Sequence, residues 1–131
     1  MNQIICGIDE AGRGPLAGPV TAAAVILPDD FEIELLNDSK KLSEKKRLVL
    51  EELIKQKSIA WSVIHIPHNI IDEINILQAT YEAMREAINH LAVSPDILLN
   101  DAVTIPQVDI KQIPIIKGDA KSISIGAASI I

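Results

Sequence analysis

Apolar and polar positions fall into blocks whose period changes along the chain, and the changes mark the elements. "IICGI" is a short continuous apolar run, which predicts a buried strand over residues 3 to 8. "VTAAAVIL" (20 to 27) predicts a second strand, closed by Pro28, Asp29 and Asp30. In "LNDSKKLSEKKRLVLEELIKQK" the apolar Leu50, Leu53 and Ile54 recur at helical spacing, with Ser43 as the expected N-cap ahead of Glu44. "IAWSVIHIP" (59 to 67) is rich in β-branched residues and stops at a proline, as a third strand would. From about residue 70 to 92 the positions Ile70, Ile74, Leu77, Tyr81, Met84, Ile88 and Leu91 stand three and four apart, predicting a long helix with that stripe buried. "DILLND" (96 to 101) and "QIPIIKGD" (112 to 119) predict two further strands. The small residues of "AKSISIGAASII" suit the opening of a closely packed helix. Strands that come first in pairs and then alternate with helices predict an α/β fold, a mixed sheet covered by helices. No repeat, low-complexity tract or linker divides the 131 residues, so one domain over 1–131 is expected.

Composition narrows the chemistry. The chain is 48% hydrophobic, almost all of it aliphatic, and Phe31, Trp61 and Tyr81 are its whole aromatic set. That leaves no row of stacking platforms for single-stranded nucleic acid. A net charge of −6 argues against passive binding of a polyanion. It does not argue against a nuclease, whose acids are offset by bound cations. Cys6 is the single cysteine, so neither a disulfide framework nor a cysteine zinc site is available, and its apolar surroundings predict an inert core thiol. No apolar run approaches the length of a membrane span and no signal-type segment opens the chain, which reads as cytoplasmic.

Two strands are expected to end in acids: Asp9 and Glu10 after the first, Asp101 after "DILLN". Ligand sites in α/β sheets gather at the carboxyl ends of strands. A few carboxylates in one place suit a hard divalent ion such as Mg²⁺, and two such ions can activate a water and stabilise the leaving oxygen in phosphodiester cleavage. The plainer reading is a polar strand end. The glycine-rich loop behind Asp9 and the second acid-terminated strand weigh against it. Neighbouring strand residues point to opposite faces, so Asp9 and Glu10 share a site only if the strand ends or bends there, for which Ala11-Gly12 is suited.

In that loop, Gly12 and Gly14 would let backbone N–H groups approach a phosphate or sugar, and Arg13 could grip phosphate in a fork. An ordinary surface loop reads the same way, and no dinucleotide fingerprint is completed. Lys40 and Lys41 precede the first helix and are placed to touch phosphate, whereas Lys45, Lys46 and Arg47 read as its solvated side. His65 and His68 have ligand-like spacing, but Pro67 breaks any helix that would align them. They read as exposed polar residues at a strand end, with zinc as the lesser alternative.

The segments "GIDEAGRGPLAGPV", "LNDSKKLSEKKR", "INILQATYEAMREAI", "LLNDAV" and "GDAKSISIGAASII" resemble, in order and spacing, the type 2 ribonucleases H of bacteria (ribonuclease HII), over essentially the whole chain. The first motif is similar to ribonuclease HII rather than to the related ribonuclease HIII. The resemblance implies a ribonuclease H-like fold and a Mg²⁺- or Mn²⁺-dependent endonuclease. Its substrates would be the RNA strand of RNA–DNA hybrids and duplex DNA with embedded ribonucleotides, nicked on the 5′ side, as in ribonucleotide excision repair. It implies that Asp9, Glu10 and Asp101 are catalytic metal-binding carboxylates. Gly12, Arg13 and Gly14 would read the ribose 2′-hydroxyl, and Lys40 and Lys41 would contact phosphate. No obligate protein partner is evident.

Ala102 stands where many members carry Gly, and Gly126 where Ala is more usual. The family's fourth acid and a junction tyrosine would lie beyond Ile131, which predicts a chain that lacks the family's C-terminal part. Three rivals follow: a catalytically impaired hybrid-binding remnant, a ribonuclease HIII-like enzyme, and a phosphoryl-transfer enzyme on a similar sheet.

Overall fold

The computed structural model describes residues 4–11, 20–28, 44–67, 75–101 and 104–115. They form β1 (Ile5–Ala11), β2 (Val20–Ile26), α1 (Glu44–Lys57), β3 (Ala60–Ile66), α2 (Ile76–Asn89), β4 (Ile97–Asp101) and β5 (Lys111–Ile115). The strands make one sheet in the order β3-β2-β1-β4-β5. β1 and β2 pair antiparallel, as do β2 and β3, whereas β1–β4 and β4–β5 are parallel. The expected mixed α/β sheet flanked by helices is what the chain forms.

β1 runs further than its apolar run predicts. It continues through both acids to Ala11, because β2 offers an unbroken ladder opposite: Asp9 pairs with Ala23, Glu10 with Ala22 and Ala11 with Thr21. A polar side chain does not end a strand whose backbone groups still have partners. The condition under which Asp9 and Glu10 could share one face, a strand that ends or bends between them, is therefore not met within β1.

α2 begins later and ends earlier than the 70-to-92 periodicity predicts. Asn75, at φ 67°, leaves the helical region, and its side-chain oxygen accepts the N–H of Gln78 at 3.1 Å. At the other end the N–H of His90 donates to the carbonyl of Glu86 at 3.0 Å. Its Nδ1 donates to the same oxygen at 2.7 Å, which fixes the proton on that nitrogen. The buried face also differs from the expected stripe. Ala79, Thr80, Ala83, Met84, Ala87 and Ile88 are buried, Tyr81 is half-buried, and Leu77 is 41% exposed. Small residues win the contact because they let the helix axis lie close to the sheet, where Ala22 and Ala24 of β2 are equally small. Ser62 on β3 adds a hydrogen bond to the carbonyl of Ala87.

The core lies between α2 and one face of the sheet, built from Cys6, Ile8, Val20, Ala24, Ile26 and Leu98 against Ala79, Ala83, Met84 and Ala87. Those strand residues alternate with positions on the other face, where Val25 and Ala23 are also buried. On α1, Leu50 and Ile54 are buried and Leu53 is half-buried, while Lys45, Lys46 and Arg47 are exposed, as the periodicity predicts. Lys55 of α1 lies 4.7 Å from the ring centre of Trp61, tying the helix to β3. Ser43, His68, residues 70–74 and residues 116–131 lie outside the described residues. Among the described residues no helix is long and apolar enough to cross a membrane.

Two outcomes are expected from this packing. Ala83→Leu should lower unfolding stability by about 1–3 kcal/mol, because a larger side chain lifts α2 off the sheet. Urea unfolding followed by circular dichroism would measure it. Burial pushes the Cys6 thiol up to about 12, so almost no thiolate exists at pH 8 in the folded chain. Labelling by a thiol reagent at that pH should be slow and should accelerate with urea in step with unfolding.

Candidate functional site

The parallel pairing of β1 with β4 carries the geometry of the site. Ile5 pairs with Ile97, Cys6 with Leu98, Gly7 with Leu99 and Ile8 with Asn100. One step further along the same register stand Asp9 and Asp101. Two acids separated by most of the chain are thus level with each other on adjacent strands, at the carboxyl end of both. Adjacent strands lie about 4.8 Å apart, and positions level in a parallel pair share a face.

Asp9 and Glu10 are both half-buried. Because β1 stays in its ladder through Ala11, Glu10 has the parity of Ile8, on the α2 side of the sheet, while Asp9 has the opposite parity. The register therefore brings together positions 9 and 101 and assigns Glu10 to the other face at the same end. Among the described side chains, no three of His, Cys, Asp or Glu converge as a metal-binding group. Gly12, Arg13, Gly14, Lys40, Lys41 and Ala102 lie outside the described residues. His65 is exposed at the end of β3, as expected, and its Nδ1 is 2.8 Å from the hydroxyl of Thr21.

A polar cluster beside Asp101 escaped the sequence reading. Asn100 is fully buried, with its Nδ2 donating to Gln112 Oε1 at 2.7 Å. The same oxygen accepts the N–H of Ile105 at 2.7 Å, and Gln112 Nε2 donates to the Ile105 carbonyl at 2.8 Å. Gln112 thus closes the chain between β4 and β5 by engaging both backbone groups of one residue. Asn100 Oδ1, buried as well, has no hydrogen-bond partner among the described residues. Such an acceptor costs about 1–3 kcal/mol. The signal available in the sequence was an amide at a position of "DILLND" that alternation assigns to the buried face. Nearby, Arg85 of α2 donates to the Pro106 carbonyl at 3.2 Å while paired with Glu82 at 2.9 Å.

The chain matches the family model described as Ribonuclease HII over residues 6–131. It is 68% identical over 129 residues to Ribonuclease HII of Lachnoclostridium phytofermentans, covering 98% of this chain and 51% of that protein. Against Ribonuclease HII of Clostridioides difficile it is 59% identical over 127 residues, covering 97% and 50%. The chain therefore spans about half the length of these curated relatives. Among solved structures, ribonuclease H2 of Pyrococcus horikoshii superposes with a TM-score of 0.83 at 26% identity, over 96% of this chain and 68% of that one. These matches favour the HII assignment over the HIII-like alternative. With a five-stranded mixed sheet, acids level on its two central parallel strands and a family match across nearly the whole sequence, the chain belongs to the ribonuclease HII family.

Proposed function

We propose that residues 1–131 form a ribonuclease H-like catalytic domain whose protein cleaves the RNA strand of RNA–DNA hybrids and nicks DNA 5′ of embedded ribonucleotides. The observation that supports this reading is the β1–β4 register, whose last pair, Ile8 with Asn100, stands directly before Asp9 and Asp101. The donor chemistry fits Mg²⁺ or Mn²⁺, which take carboxylate oxygens together with water and substrate phosphate. Asp9 and Asp101 would hold the ion, whereas the parity of Glu10 sets it on the other face of the sheet, outside that pair. When bound, the metal supplies an activated water and charge stabilisation at the leaving oxygen. The chain's own part is to fix the carboxylates on rigid strands, so that no reorganisation is needed as charge develops.

Substrate recognition is assigned to the neighbouring loop. Gly12 and Gly14 would let backbone donors approach the ribose 2′-hydroxyl, and Arg13 would grip the adjacent phosphate. Lys40 and Lys41 would contact phosphates further along the duplex. The cell compartment would be the cytoplasm, where such hybrids are exposed in bacteria.

Asp9→Asn and Asp101→Asn should each slow cleavage more than about a hundredfold, a loss of several kcal/mol of transition-state stabilisation. Circular dichroism should be unchanged. The assay is nicking of a duplex with one ribonucleotide in Mg²⁺ or Mn²⁺, and full activity in either variant at saturating metal removes that acid from the site. Arg13→Ala should raise KM for that duplex several-fold with little change in metal affinity by calorimetry. Equal changes in both quantities would make the loop part of the metal site instead.

A further inference from the structure

Asn100 is fully buried directly before Asp101, in a strand whose neighbouring residues Leu98 and Leu99 are apolar. The orientation of its amide follows from the backbone it serves. The N–H of Ile105 can only donate and its carbonyl can only accept, so Gln112 must present Oε1 to the first and Nε2 to the second. Oε1 in turn requires a donor from Asn100, which places Nδ2 there and leaves Oδ1 as the buried acceptor with no partner among the described residues. Turning the amide over would set oxygen against oxygen. The cluster thus has one arrangement, and it keeps a costly group in the core that an isosteric leucine would remove.

Position 101 is where that arrangement matters. β4 ends there, and the ladder to β1 has its last registered pair one residue earlier, at Ile8 and Asn100. Strand ends open locally more readily than strand centres. The Asn100–Gln112–Ile105 bonds hold the chain one residue before Asp101 and four residues after it. The hydrogen bond from Arg85 to Pro106 holds the next residue to α2. We infer that Asn100 and Gln112 are positioning residues that fix the end of β4, and through it Asp101, for metal binding. This rests on the functional reading above.

The test is Asn100→Leu in the full chain, compared with wild type and with Asp101→Asn as a control. Three quantities are read: thermal stability, Mn²⁺ affinity by calorimetry, and kcat and KM on a duplex holding one ribonucleotide. The leucine removes the unpaired acceptor and leaves Gln112 Oε1 its bond from Ile105, so the melting temperature should hold or rise. Mn²⁺ affinity and kcat should fall about tenfold or more while KM stays level, the pattern of a lost supporting contact. Gln112→Met should reduce kcat in the same way, and the double variant should lose no more than the worse single one, since the two amides act as one unit. The Gln112 variant carries the test alone if the leucine is not accommodated.

Mn²⁺ affinity and kcat within twofold of wild type would overturn the inference. So would melting temperatures that fall in step with activity in both the Asn100 and the Gln112 variants, because the two amides would then act only through the fold. A wild-type chain that neither binds Mn²⁺ nor nicks the duplex removes the functional reading itself. Wild-type nicking with an unaltered Asn100→Leu removes only the positioning role.

Discussion

Strand β1 is hydrogen-bonded on both sides, antiparallel to β2 and parallel to β4, and its register is held by what its side chains bury. Cys6 and Ile8 face α2 and are wholly inaccessible. Sliding β1 by one residue against its neighbours would turn both outward and carry Asp9 into the core. Exposing a single buried aliphatic side chain costs about 1.5–3 kcal/mol, before any charge is buried. The hydrophobic effect thus enforces a polar geometry. The same constraint that packs Ile8 against the helix sets Asp9 level with Asp101 one step later, and a slip would put Glu10 in its place.

The second contact that shapes the molecule is the close approach of α2 to the sheet. Ala79, Ala83 and Ala87 on the helix meet a sheet face in which Ala22 and Ala24 are equally small, and Met84 fills the gap beside them. Close-packed small residues gain dispersion contacts on both sides and tolerate little added volume. α2 then lies across β2, β3 and β1. Its Arg85 reaches the turn that follows β4, so the helix that builds the core also steadies the chain leaving the candidate site.

Stability and chemistry pull against each other at this end of the sheet. The apolar middle of the sheet is buried without polar compromise, whereas its carboxyl end holds two level acids, a third of opposite parity and a buried amide with an unpaired oxygen. The buried amide oxygen is unfavourable for folding alone. These groups gather where β1 and β4 run parallel, so that two carboxyl ends lie side by side in the interior of the sheet.

The sequence by itself determined the local elements and the residue types at the strand ends. Period-2 and period-3.6 patterns are set by steric relations within a few residues, so β2, β3, α1 and most of α2 were readable, and so were the acids of "GIDEAG" and "LLNDA". Even there the helix face was misread at Leu77 and Tyr81, because which stripe is buried depends on how closely the partner surface lets the helix approach. The tertiary structure alone decided the rest. The pairing of Ile5 with Ile97, 92 positions apart, depends on burial and backbone hydrogen bonds summed over the whole sheet. That pairing brings Asp9 and Asp101 to the same step of the register, and the ladder with β2 continues β1 through Glu10 to Ala11. The same holds for Asn100 and Gln112, whose meeting follows from the parallel alignment of β4 with β5 and from no pattern a local window contains.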